Sequence, residues 1–81
     1  MITMYTRTVC PYCEQAKALL TSKNIEYKAV NIEEDVDARN FLVAQGLRSV
    51  PQIYEDDQLI GGFDKLKEWV SLTEIISDIN L

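Results

Sequence analysis

The chain has 81 residues, of which 47% are hydrophobic and 26% charged, and its formal net charge is −5. This length predicts one small domain over residues 1–81, and the composition is typical of a soluble globular protein. The acidic balance gives no support for nucleic-acid binding, and no apolar run reaches the roughly 18 residues of a membrane span. We also expect no signal peptide, because no charged start followed by a long apolar run is visible.

The first predicted element is a buried strand over Ile2–Thr6, a stretch rich in β-forming residues. A short loop, residues 7–9, connects this strand to a pair of cysteines. Arg7 lies close enough in sequence to add positive potential near the first cysteine. A solvated surface arginine fits the same sequence equally well, so both roles stay open.

The two cysteines of the chain lie in the stretch Cys10-Pro11-Tyr12-Cys13, at the start of a helix predicted over Pro11–Lys23. Proline is favoured at the first helical position, which makes Cys10 the cap residue. Its sulfur then faces the free N–H groups of the first turn and the positive end of the helix dipole, and both favour the thiolate. Cys13 lies about one turn further on the same side, within reach for a disulfide. We therefore predict that Cys10 attacks substrates and that Cys13 resolves the product.

Two other uses of the cysteine pair fit the sequence less well. A structural zinc site needs about four Cys or His ligands, whereas this chain has two cysteines and no histidine. A static disulfide would close too short a loop to stabilise the fold much, and disulfide-built domains usually carry more cysteines. We therefore expect no metal, and a reactive pair without further cysteines fits a reducing, cytoplasmic setting.

A second strand is predicted over Ile25–Ile32. Because it follows the first strand through a helix, the two strands should be parallel, with a right-handed crossover. The acidic cluster at residues 33–35 suits a solvated helix start much better than a metal site. It precedes a second helix, predicted over Asp37–Gln45 and ended by Gly46.

The last third of the chain predicts a hairpin and a helix. Gln52–Glu55 and Leu59–Ile60 flank a polar turn and should form two antiparallel strands. Asp64 can cap a final helix that begins near Lys65. Because Ser71–Glu74 resembles a capping box, this helix either runs to Ile79 or breaks near Ser71 into two, and the sequence slightly favours a break or a kink.

The order of these elements is strand, helix, strand, helix, strand, strand, helix. It predicts an α/β fold in which three helices flank a mixed four-stranded sheet. Helical spacing places a set of mostly apolar side chains on the core-facing sides of the helices, namely Ala16, Leu19, Leu20, Ala38, Phe41, Leu42, Leu66, Trp69, Val70, Ile75, Ile76 and Ile79.

In three stretches the chain resembles the dithiol glutaredoxins, which have the thioredoxin fold. These stretches are Cys10-Pro11-Tyr12-Cys13, Ser49-Val50-Pro51 and Gly61-Gly62-Phe63-Asp64. Their order and separation agree with the family, and the resemblance covers nearly the whole chain. It implies a cytoplasmic, monomeric thiol–disulfide oxidoreductase with glutathione as co-substrate. Its substrates would be protein disulfides and protein–glutathione mixed disulfides.

The resemblance also implies how the cysteinyl part of glutathione would be held. Pro51 would follow a cis peptide bond and face the cysteine pair. Val50 would present its backbone N–H and C=O to the ligand as one strand pairs with another. Tyr12 would flank the tripeptide, and Arg7 would lie near a glutathione carboxylate.

The γ-glutamyl end of glutathione would lie by Gly62, Phe63 and Asp64, with Asp64 accepting from the free amino group. Many family members have an acidic residue where this chain has Lys65, which would place a like charge near that amino group. A smaller departure is Ser49, where the family usually has threonine, and it keeps the hydroxyl.

Two residues of the second predicted helix, Arg39 and Gln45, are the candidates for contact with the glycyl carboxylate of glutathione.

Two other functions fit parts of the sequence. A redoxin reduced by thioredoxin reductase and serving ribonucleotide reductase would share the length and fold, but the stretch Gly61-Gly62-Phe63-Asp64 favours a glutaredoxin. A dimer that bridges an iron–sulfur cluster would belong to another functional class. Pro11 and Cys13 argue against it, because members with one active cysteine or without this proline bind clusters more readily.

Overall fold

A computed structural model describes residues 1–79 of the chain, with side chains described for residues 1–73. The predicted side chains of Ile75, Ile76 and Ile79 lie outside that second range. Seven elements follow one another, namely β1 (Ile2–Thr6), α1 (Pro11–Ser22), β2 (Tyr27–Asn31), α2 (Val36–Ala44), β3 (Gln52–Glu55), β4 (Gln58–Gly61) and α3 (Phe63–Ile79). The order confirms the prediction, and the predicted bounds differ by a few residues in places. None of the helices in the described part is both long and apolar enough to cross a membrane.

The four strands form one mixed sheet in the order β2-β1-β3-β4. β1 runs parallel to β2, whereas β3 runs antiparallel to both β1 and β4. These directions confirm the parallel first pair and the hairpin. In the antiparallel register Tyr5 lies opposite Gln52, so the start of β3 meets the end of β1. This register carries Pro51, the residue before β3, to the loop that leads to the cysteines.

The core lies on the face of the sheet that α1 and α3 cover. Ile2, Met4 and Thr6 alternate along β1 and are all buried on this face. Leu20 of α1 and Leu66 of α3 are fully buried against them. Complete burial of such side chains contributes about 1.5–3 kcal/mol each. This packing fixes the two helices whose first turns carry the functional residues.

A smaller aromatic cluster covers part of the opposite face. Phe41 of α2 lies 5.7 Å from Tyr5 and 5.6 Å from Tyr54, measured between ring centroids. Leu42 is the buried residue of α2, whereas Phe41 is 39% exposed. The predicted inward face of this helix is therefore only partly covered.

Two expectations about the last helix are wrong. The helix begins at Phe63, so Asp64 lies in its first turn and Gly62 takes the cap position, where its carbonyl accepts from Leu66 N–H at 2.9 Å. The helix also continues through Ser71 without a break. The hydroxyl of Thr73 donates to the Trp69 carbonyl one turn earlier, at 2.9 Å. This hydroxyl is thus satisfied inside the continuous helix.

Candidate active site at the cysteine pair

Cys10 is the N-cap of α1, as predicted. Its backbone is extended, with φ −152° and ψ 95°, and Pro11 follows at the first helical position. The sulfur of Cys10 accepts from the backbone N–H of Cys13 at 3.1 Å. Proline has no N–H to leave unpaired at this first position, and the sulfur of Cys10 satisfies the N–H of Cys13 in the same turn.

The two cysteines form a disulfide, with their Cα atoms 5.2 Å apart. Cys10 is 7% exposed, whereas Cys13 has no exposed surface. An incoming thiolate can therefore reach the sulfur of Cys10 and not that of Cys13. Attack at Cys10 releases Cys13 as the leaving thiolate and leaves the mixed disulfide on Cys10.

The segment before β3 forms one wall beside the cysteines. The Val50–Pro51 peptide bond is cis, and the Val50 carbonyl oxygen lies 3.8 Å from the sulfur of Cys10. Ser49 accepts from the side chain of Gln52 at 3.3 Å, and Gln52 is buried. This hydrogen bond braces the turn that presents Val50 to the cysteine. Gln52 had no signal in the sequence beyond being a polar residue at the start of a buried strand.

The first turn of α3 forms the opposite wall. The Phe63 ring lies 6.1 Å from the exposed Tyr12 ring, and Lys67 Nζ lies 4.9 Å from the Phe63 centroid. Asp64 pairs with Lys67 at 3.4 Å. Lys65 pairs with Glu68 at 3.5 Å, also within one turn. This wall therefore presents apolar rings together with carboxylate and ammonium groups.

Between the walls lies an open groove of about 510 Å³. It brings together six of the seven residues predicted to bind the ligand, and it adds Ser49 and Lys65; its lining consists of Tyr12, Ser49, Val50, Pro51, Gly62, Phe63, Asp64 and Lys65. The two additions were visible in the sequence only as departures from a family pattern.

The other predicted contacts lie elsewhere. Arg7 does not line the groove; it is exposed in the loop before the cysteines. Arg39 lines a neighbouring pocket of about 420 Å³, together with Arg48 and Ser49. Gln45 lines a pocket beside Tyr5 on the aromatic face of the sheet.

The loop before Cys10 is tied to the loop that follows β2. Glu33 accepts from the backbone N–H of Thr8 at 2.6 Å, and this hydrogen bond, with help from the charge of Arg7, lowers the pKa of Glu33. The Asn31 side chain donates to the Thr8 hydroxyl at 3.2 Å and accepts from the Glu33 N–H at 2.8 Å. Thr8, two residues before the reactive sulfur, is therefore held from both its backbone and its side chain.

Comparison with known proteins gives a consistent answer. The family model described as Glutaredoxin matches residues 2–60. A probable glutaredoxin of Synechocystis sp. is 45% identical over 67 residues, which cover 80% of this chain and 76% of that protein. Glutaredoxin 3 of Escherichia coli is 41% identical over 66 residues, or 80% of each chain.

Among solved structures, NrdH-redoxin of Escherichia coli is similar with a TM-score of 0.74 and 29% sequence identity. The similarity covers 83% of this chain and 91% of that one. That protein is described as glutaredoxin-like, with a thioredoxin-like activity profile.

Proposed function

The chain belongs to the glutaredoxin family, and from that premise we propose that it reduces disulfides with glutathione as its electron donor. Membership of the family and the disulfide-forming pair Cys10–Cys13 make it a thiol–disulfide oxidoreductase. The proposal goes beyond this class of enzyme in naming glutathione as the electron donor. The observation that carries it is the groove that begins beside Cys10 and ends at the charged first turn of α3.

Reduction of the enzyme would take two molecules of glutathione. The first thiolate attacks the sulfur of Cys10, which forms a mixed disulfide there and releases Cys13 as a thiolate that takes up a proton. The second thiolate attacks the glutathione sulfur of that mixed disulfide. Glutathione disulfide leaves, and Cys10 is left as a thiolate. Two electrons thus pass from two glutathione thiols to the protein dithiol.

The reduced Cys10 would then attack substrates as a thiolate. The N–H groups of the first turn of α1 and the helix dipole favour the charged sulfur, so the Cys10 pKa should be below that of a free cysteine. With a glutathionylated protein, Cys10 attacks the glutathione sulfur and the protein thiol leaves. With a protein disulfide, Cys10 forms a mixed disulfide with the substrate, and Cys13 then attacks the Cys10 sulfur to release it.

Glutathione fits the chemistry of the groove. Val50 offers backbone N–H and C=O groups for strand-like pairing with the cysteinyl residue. Tyr12 and Phe63 flank the groove with apolar rings, and Asp64 can accept from an ammonium group. A volume of about 510 Å³ is in the usual range for a small-molecule site.

The test is a coupled assay in which glutathione is the sole electron donor and a glutathionylated peptide is the acceptor. We expect turnover that depends on Cys10 and saturates with the glutathionylated peptide. Absence of turnover with a fully reduced, folded protein would contradict the proposal.

A second candidate donor is a thioredoxin reductase. The similarity to NrdH-redoxin, a protein with a thioredoxin-like activity profile, favours it. In that case the acceptor would be a protein disulfide, such as that of a ribonucleotide reductase. Parallel assays with each donor alone separate the two functions, because a protein of the second kind turns over with the reductase and not with glutathione.

A further inference from the structure

Two opposite charges lie side by side where the groove meets α3. Asp64 and Lys65 both line the groove, in the first turn of the helix. In sequence terms Lys65 is a like charge that would disturb an ammonium group bound at Asp64. A ligand group that carries both charges on one carbon, however, needs a cation and an anion in the site.

The first carbons of the Lys65 side chain are packed against the backbone, whereas its ammonium group is exposed to solvent. Its Cβ and Cγ pack over Gly61 so closely that a Cβ added to Gly61 would lie 2.9 Å from each. The side chain is nevertheless 67% exposed, and within residues 1–73 the ammonium group pairs with the exposed carboxylate of Glu68, at 3.5 Å. An ion pair between exposed side chains holds its partners weakly, so a ligand carboxylate can take the place of Glu68.

The charges around this end of the groove balance. Asp64 pairs with Lys67 and Lys65 pairs with Glu68, which gives two carboxylates and two ammonium groups within two turns. A ligand with a net charge at this end would leave one sign without a partner. An α-amino acid zwitterion carries one charge of each sign, so it offers a partner to both the carboxylates and the ammonium groups of the site. The free N–H groups at the start of α3 also favour its carboxylate.

We propose that Lys65 is a specificity-determining residue that binds the α-carboxylate of the γ-glutamyl residue of glutathione, while Asp64 faces the adjacent ammonium group. This inference rests on the proposed function, since it names how the same groove recognises its ligand. It makes Lys65 a favourable contact rather than a source of repulsion.

The experiment compares glutathione with an analogue that lacks only the α-carboxylate, 4-aminobutanoyl-cysteinyl-glycine. Each tripeptide is joined by a disulfide to the same fluorescent reporter thiol. Reduced protein is mixed with each compound, and the release of the reporter is followed in a single turnover. The Cys10 thiolate attacks the tripeptide sulfur and the reporter leaves as its thiolate, so no further reductant is needed.

We expect the wild-type protein to react about two- to five-fold faster with the glutathione compound at low ionic strength, which is the range for an exposed charge pair. Lys65→Met keeps an unbranched stem over Gly61 and removes the charge, so this preference should fall to the part that the backbone N–H groups provide. Lys65→Glu should invert the preference. Added salt should reduce it in the wild-type protein, because exposed charges are screened.

The matched control is Lys28→Met, the same loss of charge at an exposed position on β2. It should keep the full preference for the glutathione compound. The ratio of the two rates within one protein removes effects that act on both compounds alike. Comparing that ratio between variants also removes contacts of the carboxylate with backbone N–H groups, because every variant retains them.

Two failures can be told apart. If the wild-type protein reacts no faster with glutathione than with a reporter disulfide of cysteamine, the proposed function fails and this inference falls with it. If glutathione is preferred over cysteamine but the penalty for the missing carboxylate is equal in wild type and Lys65→Met, only the assignment of Lys65 is overturned.

Discussion

The backbone N–H of Cys13 donates to the sulfur of Cys10 across 3.1 Å. This donor belongs to the first turn of α1 and does not depend on the Cys13 thiol. Cys13 therefore supplies two separable things: a backbone group that stabilises negative charge on Cys10, and a buried sulfur that can displace a bound substrate.

For this reason, substitutions of the two cysteines should have different effects on activity. We expect Cys10→Ser to abolish every exchange reaction, because it removes the sulfur that substrates reach. Cys13→Ser keeps the backbone donor, so it should retain reduction of glutathione mixed disulfides and lose reduction of protein disulfides that need a second thiol. Steady-state assays with one substrate of each kind check this. Turnover of a mixed disulfide by Cys10→Ser would show that the roles are assigned wrongly.

The position of Cys10 at the start of α1 predicts a pH dependence for the reduced protein. We expect the pKa of the Cys10 thiol to be below the value of about 8.5 for free cysteine. In Cys13→Ser, which leaves one thiol, the rate of alkylation should stay high as the pH falls below 8.5 and decline only through the lower pKa of the folded protein.

A lowered pKa of the Cys10 thiol should also make the stability of the reduced protein depend on pH, because proton binding and folding are coupled. If the folded pKa of Cys10 is lower than the unfolded pKa, as we expect, the reduced protein gains stability that is fully present above the unfolded pKa. That stability is lost as the pH falls through the folded value. The oxidised protein, which has no free thiol, should lack this dependence. Identical alkylation profiles for the variant and a cysteine peptide would rule out stabilisation of the thiolate by the helix.

The fold and the redox centre could be predicted because both depend on local patterns. Proline after Cys10 determines the cap, and the apolar spacing of Ala16 and Leu20 determines the buried side of α1. The groove could be predicted only through the resemblance to a family. Nothing local indicates that Val50 and Phe63 come to lie on opposite sides of one cleft.

The features that the sequence did not reveal are of two kinds. Some are contacts between segments far apart in the chain, and others are places where one local pattern fits two different structures. Glu33 fits a solvated helix start, yet its carboxylate accepts a hydrogen bond from the backbone N–H of Thr8. Such a contact between two loops could not be predicted, because loops have no periodic sequence pattern. The pattern Ser71–Glu74 fits a helix start, but the same residues continue α3, where the Thr73 hydroxyl donates to the Trp69 carbonyl.

The contact between Glu33 and Thr8 predicts a pH-dependent contribution to stability. The Thr8 N–H and the Arg7 charge lower the pKa of Glu33 from its usual value of 4.5. A depressed carboxyl pKa stabilises the folded state above the unfolded pKa, and this stabilisation is lost as the pH falls through the folded value. We therefore expect Glu33→Gln to lower the free energy of unfolding near neutral pH, with the difference from wild type shrinking below about pH 4.5.

Denaturant unfolding of the oxidised protein across this pH range measures the effect. Glu34→Gln is the matched control, because it removes the same charge from the adjacent exposed residue. A pH-independent difference for Glu33→Gln, or an equal one for Glu34→Gln, would show that the Thr8 contact is not the cause.

Gly61 should tolerate a side chain less well than Gly46, although both have positive φ. Gly46 has φ +76°, and a Cβ there would meet nothing within 4 Å. Gly61 has φ +126°, and its Cβ would lie 2.9 Å from the Cβ and Cγ of Lys65. We expect Gly46→Ala to cost about 1–2 kcal/mol of backbone strain. Gly61→Ala should cost about 1–3 kcal/mol more, because overpacking against Lys65 is added to the strain.

Thermal and denaturant unfolding of the two variants provide the comparison, and reaction with a glutathione mixed disulfide provides a second readout. Because Lys65 lies in the first turn of α3, pushing its stem away should also move the wall that carries Phe63 and Asp64. Gly61→Ala should therefore slow the reaction with glutathione compounds, whereas Gly46→Ala should leave it close to wild type. Equal losses of stability in the two variants would mean that Lys65 moves aside at no cost and that only the backbone conformation requires glycine at position 61.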